Sequence, residues 1–182
     1  MRRFLINRNY ALFMGGSFVS ALGSWFQNIA IGWLVLELSD STFMLGLTNF
    51  AQMSPLFFLG IFGGVLADQF DRRHLLLIGI GGGTLAMVVM AGMALSGSIT
   101  VPAILVLSLI IGLTQAVVWP TWQPFIKDLV PVARLRDAIA FNAARFNLTR
   151  VLGPALAGVI MARFGAPLSL AFAAAGSATV LV

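Results

Sequence analysis

The chain has 182 residues, 59% hydrophobic and 9% charged, and its eleven Lys and Arg outnumber six Asp and Glu for a formal net charge of +5. A soluble globular domain carries about 25% charged residues, so a mean hydropathy of +0.98 excludes a water-soluble fold. The pI near 11.4 then reflects loop arginines that orient a membrane protein, not a nucleic-acid partner.

With no cysteine and a single histidine, His74, the chain has no disulfide or thiolate metal site and no ready metal cluster or Ser/His pair. No cofactor, metal or catalytic residue is expected.

A spanning helix needs about 20 mostly apolar residues. On that measure the chain is one all-α, polytopic, six-helix transmembrane domain over 1–182. After Met1, Arg2 and Arg3 comes an apolar run from Tyr10 through Leu36. It exceeds the roughly 7–15 residues of a signal peptide core, so the first span, 10–37, reads as an uncleaved helix. On it Ser20, Ser24 and Gln27 share a face, with Asn28 beside them.

Ser39 to Thr42 supply N-cap candidates for the second span, 43–67, where Asn49 and Gln52 read as packing residues. Residues 63–74 (GGVLADQFDRRH) then crowd two acids and two arginines between apolar runs, just after glycines that admit another backbone. They form either a plain positive loop or one whose charges latch helices together.

The third span, 75–96, contains Gly79, Gly81, Gly82 and Gly83. No strand precedes them, so they read as helix-packing glycines and not as a phosphate loop. A turn at Ser96-Gly97-Ser98 leads to the fourth span, 101–123, on which Gln115, Trp119 and Trp122 share a face. An amphipathic connection with Pro124 and Pro131 follows, from 123 to 136.

The fifth span, 138–163, carries Arg145 and Arg150. A central arginine costs about 2.5–3.5 kcal/mol on the insertion scale, so each should be paired, snorkelled or functional. Arg145 is near enough to the helix end to snorkel. Arg150 lies deeper and either pairs with Asp68, the preferred reading, or faces an anionic substrate. Gly153 and Pro154, with Gly158 after them, mark either a kink at a helix interface or a seal against leak.

After a turn at Gly165-Ala166-Pro167 the sixth span, 167–182, ends without a polar anchor and reads as a helix cut short, its C-terminal half-protein absent. With a cytoplasmic N-terminus, Arg2, Arg3, Arg8, Arg72, Arg73, Lys127, Arg134 and Arg136 lie inside and Arg163 outside, a strong positive-inside bias. No acid lies deep in a span. A proton-coupling carboxylate would be Asp68, another at an edge, or one in the absent half.

Residues 64–71 can be laid over 158–165, and the same offset of 94 aligns the starts of the first and fourth spans. Each unit holds three spans, so the second copy enters the membrane inverted, a 3+3 repeat.

Residues 64–73 resemble the signature loop between the second and third helices of the major facilitator superfamily, G-x-L-A-D-R-x-G-R-R/K. They match at Gly64, Leu66, Ala67, Asp68, Arg72 and Arg73, with Gln69 for the usual arginine and Asp71 for the usual glycine. Residues 20–25, 135–142 and 150–158 resemble one bacterial branch, the transmembrane secretion effector or enterobactin-exporter-like group.

The resemblance covers the first half of a twelve-helix protein. It implies an inner-membrane, multi-pass exporter of hydrophobic or siderophore-like molecules, working by alternating access and proton antiport, with lipid, a small-molecule substrate and the other half of its own chain as partners. It also implies that Asp68 is a latch acid with Arg72 as its base, that Arg73 is part of the latch or a topology signal, and that the first and fourth helices line the substrate path. Ser24, Gln27, Asn28, Gln115, Trp119 and Trp122 are then cavity residues, or amides that join helices.

Two other classes compete. Asp68 and Asp71 suggest a metal-binding lipid phosphotransferase, but Arg72, Arg73 and His74 follow and no acid comes before Asp128. A six-helix scaffold, or a half-transporter that dimerises, is the alternative a complete chain length would separate.

Overall fold

The computed structural model describes residues 8–180, apart from the side chains at 8, 9, 123, 128 and 129. Arg2 and Arg3, and the end of the sixth expected span at 181–182, lie outside the described residues. The helices are α1 (Arg8–Ser39), α2 (Thr42–Gln69), α3 (Arg72–Leu95), α4 (Val101–Leu129) and α5 (Leu135–Ala178), with a 3-10 turn at Val132–Arg134. All five are long and apolar enough to cross a membrane.

At 44 residues, α5 would stretch about 66 Å if straight, twice the ~30 Å hydrocarbon core. It breaks at Gly165, where φ is 75° and ψ 178°, a conformation that is essentially glycine's alone. The two arms, 135–164 and 166–178, stand where the fifth and sixth spans are expected. Local chemistry sets the other ends. The Ser41 hydroxyl accepts the Met44 N–H at 3.3 Å to cap α2, and the Asp71 carboxylate accepts the His74 N–H at 2.9 Å to cap α3.

The connection expected over 123–136 is largely helix, because α4 continues through Pro120 and Pro124 to Leu129. A proline deprives the carbonyl four residues earlier of its helical donor, and in a bundle a neighbouring helix can cover it. Pro120 does this to Ala116, and the bare Cα of Gly63 on α2 lies against that carbonyl oxygen. Gly112 on α4 stands likewise against the Gln52 carbonyl and the Pro55 ring of α2.

The main packing pairs are α1 with α5, α2 with α4, and α3 with both α4 and α5. Counting the arms of α5 as fifth and sixth segments, these pairs map onto one another when first and fourth, second and fifth, third and sixth are exchanged. Close approaches repeat in nearly the same way, the α3 positions lying 94 residues before those of the second arm and the α1 positions 95 before those of α4. Gly79 meets Val118 and Gly82 meets Thr114 between α3 and α4, while Ala173 meets Gly23 and Gly176 meets Val19 between the second arm and α1. Thr84 Oγ1 and Ser177 Oγ, 2.8 Å apart, join the two elements that exchange with each other.

A larger core gathers Ala30, Val35, Met90, Ile104, Ile111 and Leu170. A second, around Tyr10, Met14, Ile126, Val130 and Ala138, closes the end where α1 and α5 begin. Outside, α2 turns Phe57, Phe58, Ile61 and Phe62 outward, Ile61 at 80% exposure. Surface of that kind calls for an apolar surrounding, since exposing it to water would cost about 25 cal/mol per Å².

Candidate functional site

The chain between α2 and α3 is tightly tied. Phe70 donates its N–H to Leu66 at 2.9 Å, and Arg72 Nε donates to the Ala67 carbonyl at 3.3 Å. Asp71 Oδ1 accepts the His74 backbone N–H and also stands 2.9 Å from the His74 ring Nδ1. The His74 backbone N–H is the main reason that the Asp71 carboxyl lies below the ordinary aspartate range. Asp71, where the signature has glycine, therefore serves α3 locally.

Asp68 and Arg73 are exposed, and among the described residues no ion pair joins Asp68 to Arg72. The glycine that admits α4 is Gly63. Gly64, the other glycine of the pair, is half-buried and faces open space.

The polar stripe of α1 divides. Gln27 is buried, with its Nε2 unbonded, whereas Ser24 and Asn28 are exposed. Asn28 Oδ1 accepts from Gln52 Nε2 on α2 at 3.4 Å, so this amide joins helices, and Ser24 Oγ turns back to the Ser20 carbonyl. On α4, Gln115 is half-buried and Trp119 is 58% exposed. Trp122 points inward, 4.7 Å from the Phe13 ring.

Arg145 is half-buried and turns its guanidinium toward α1 and α4. Its Nη1 donates to the Ser17 carbonyl at 2.7 Å and its Nη2 to Asn142 Oδ1 at 3.1 Å. Its guanidinium carbon stands 5.7 Å from the centre of the Trp122 ring, while Nε is enclosed without a partner. Arg150 is exposed and makes no ion pair with Asp68 among the described residues. Five residues turn a helix about 140° past a full turn, so two arginines so spaced cannot share the inward face.

Tyr10, Ser17 and Asn142 complete this site and were not among the expected residues. The Tyr10 hydroxyl donates to the Ala138 carbonyl at 3.3 Å, fastening the first turn of α1 to that of α5. The one available signal was the spacing of Asn142 and Arg145, three apart on a helix. Beside Arg145 lies a half-open cleft of about 420 Å³ between α1 and α5, walled by Met14, Phe18, Phe141 and Leu148.

Of the expected fifth-helix motif, Gly153 seats the Trp25 indole of α1, leaving no room for a Cβ. Pro154 is half-buried, and Gly158 is exposed with nothing beside it.

The profile of the transmembrane secretion effector family matches residues 5–182. The staphyloferrin A transporter of Staphylococcus aureus is 31% identical over 156 residues, which are 85% of this chain and 39% of that protein. The multidrug efflux pump Tap of Mycobacterium tuberculosis is 25% identical over 162 residues, 85% of this chain and 38% of the pump. The enterobactin exporter EntS of Citrobacter koseri is 26% identical over 177 residues, 91% of this chain and 40% of the exporter.

The chain thus spans about two fifths of the length of these relatives, which are transporters and not enzymes. Matched almost end to end by the profile, and built of membrane-length helices, the chain belongs to the transmembrane secretion effector family of the major facilitator superfamily.

Proposed function

We propose that this chain forms the N-terminal six-helix half of a secondary active exporter. The exporter carries hydrophobic drugs or siderophore-like molecules across the bacterial inner membrane by alternating access, driven by protons, with the N-terminus in the cytoplasm. The observation that carries this reading is the family match over residues 5–182, together with relatives named for siderophore and drug transport.

The geometry supports it. Ser24 and Asn28 on α1 and Trp119 on α4 are polar or amphipathic side chains left uncovered by this bundle. A second bundle from the same chain would enclose them, with substrate between the halves near the midplane. Asp68 is exposed at the end of α2, where a partner charge can reach it. An ion pair at the membrane's edge is partly desolvated, so making and breaking it can bias rocking of one half against the other.

The test is dye and siderophore accumulation in a bacterium stripped of its own efflux pumps and expressing the full-length protein. Lower accumulation than in the empty-vector strain, reversed by a protonophore, is expected. Accumulation equal to the vector strain for both compound classes overturns the export reading. Asp68→Asn should reach the membrane in normal amount yet depress efflux, and unchanged efflux removes the latch role.

A further inference from the structure

Arg145 brings a full positive charge about ten residues, or roughly 15 Å, along α5 from its first residue. Among the described residues the groups that hold it are neutral: the Ser17 carbonyl, the Asn142 amide and the Trp122 ring. Among the described residues no carboxylate pairs with it. A guanidinium has five N–H donors, and two are engaged by the protein. Arg145 is half-buried, and a cation drawn out of water is normally held with a counter-charge; here the described chain supplies none.

The cleft beside it is otherwise apolar. Its 420 Å³ falls within the ~300–1,000 Å³ usual for small-molecule sites. An arginine on the wall of an apolar slot selects a ligand with one anionic head and a hydrocarbon body. Its planar fork suits a carboxylate in particular.

We propose that the cleft between α1 and α5 binds a small amphiphilic carboxylate, its head on Arg145 and its tail along Met14, Phe18 and Leu148. The site is separate from the one flanked by Ser24, Asn28 and Trp119 and goes beyond the export reading. Its test is equilibrium binding, so binding without transport would sink export alone, and transport without binding would sink this site alone.

The experiment measures binding of radiolabelled dodecanoate to the full-length protein in phosphatidylcholine nanodiscs. Methyl dodecanoate is the neutral competitor, and a second set of discs contains phosphatidic acid. Saturable binding that the ester fails to displace, and that phosphatidic acid leaves unchanged, is expected. Arg145→Gln should weaken it at least about tenfold, the loss of a charge-assisted hydrogen bond, while Arg145→Lys keeps part of it. Met14→Trp, which fills the cleft and spares the cation, should abolish it.

Absence of saturable binding, equal displacement by the ester, displacement by phosphatidic acid, or an Arg145→Gln variant that binds like the parent would each overturn the proposal. The ester and lipid arms need only the unaltered protein, so a variant that fails to fold leaves the test decisive.

Discussion

Replacing Gly63 and Gly64 one at a time with alanine should separate the thermal stabilities of two nearly identical proteins. Both sit inside α2, so both substitutions gain the same helix propensity, about 1 kcal/mol, and that contribution cancels in the comparison. At Gly64 the new methyl meets nothing within 4 Å. At Gly63 it would overlap the Ala116 carbonyl oxygen and stand 3.1 Å from Pro120 Cγ.

Neither obstacle at Gly63 is the flexible end of a side chain, so α2 and α4 must move apart. Overpacking of this kind costs about 1–3 kcal/mol, which is then the expected difference between the variants. For a folded body of 150–250 residues each kcal/mol shifts the midpoint by about 2–4 °C, so Gly63→Ala should melt roughly 2–12 °C below Gly64→Ala. The full-length protein in detergent, heated and followed by fluorescence-detected size exclusion, gives the apparent midpoints. A Gly63→Ala midpoint equal to or above that of Gly64→Ala would refute the claim that the α2–α4 contact is set by Gly63.

Gly153→Ala should also destabilise by about 1–3 kcal/mol, because its methyl would intrude on the Trp25 indole. Adding Trp25→Ala should recover part of that loss, a coupling of about 0.5–3 kcal/mol; strictly additive midpoints would show that the two do not meet. Asp71 has a depressed folded-state pKa, so the stability it contributes is present above its unfolded value of 3.8. That contribution is lost as pH falls through the lower folded value. Asp71→Ala should therefore lose less stability than the parent on acidification below that point, and an unchanged acid limb would rule the linkage out.

Much of the fold is legible in the sequence because lipid imposes it. Length and apolarity mark the spans, and Ser41, Gly97 and Gly165 punctuate them as their chemistry requires. Gly97 and Gly165 both take positive φ, and Ser41 caps α2 through its hydroxyl. The offset of 94 also survives into three dimensions between α3 and the second arm of α5, at Gly79 and Ala173 and at Gly82 and Gly176, while the helices they meet are offset by 95. The end of α4 was not legible, because Pro124 is a helix breaker only if nothing covers the carbonyl it strands. Whether something does depends on a helix elsewhere in the chain, as Gly63 shows for Pro120.

The candidate site divides for the same reason. A helical wheel sorts Arg145 from Arg150, and Ser24 from Gln27, but does not say which side the neighbouring helix covers. That is decided by where α1 and α5 cross, and the crossing is fixed by contacts remote in sequence: Tyr10 on the Ala138 carbonyl and Trp25 on Gly153. Ser17 lies between Tyr10 and Trp25 on α1, and Arg145 between Ala138 and Gly153 on α5. The two contacts hold the helices in parallel register, with the Ser17 carbonyl level with Arg145. The cation is therefore placed by the same close packing that shapes the cleft beside it. A substitution that loosens either contact should disturb the charge and the cleft together.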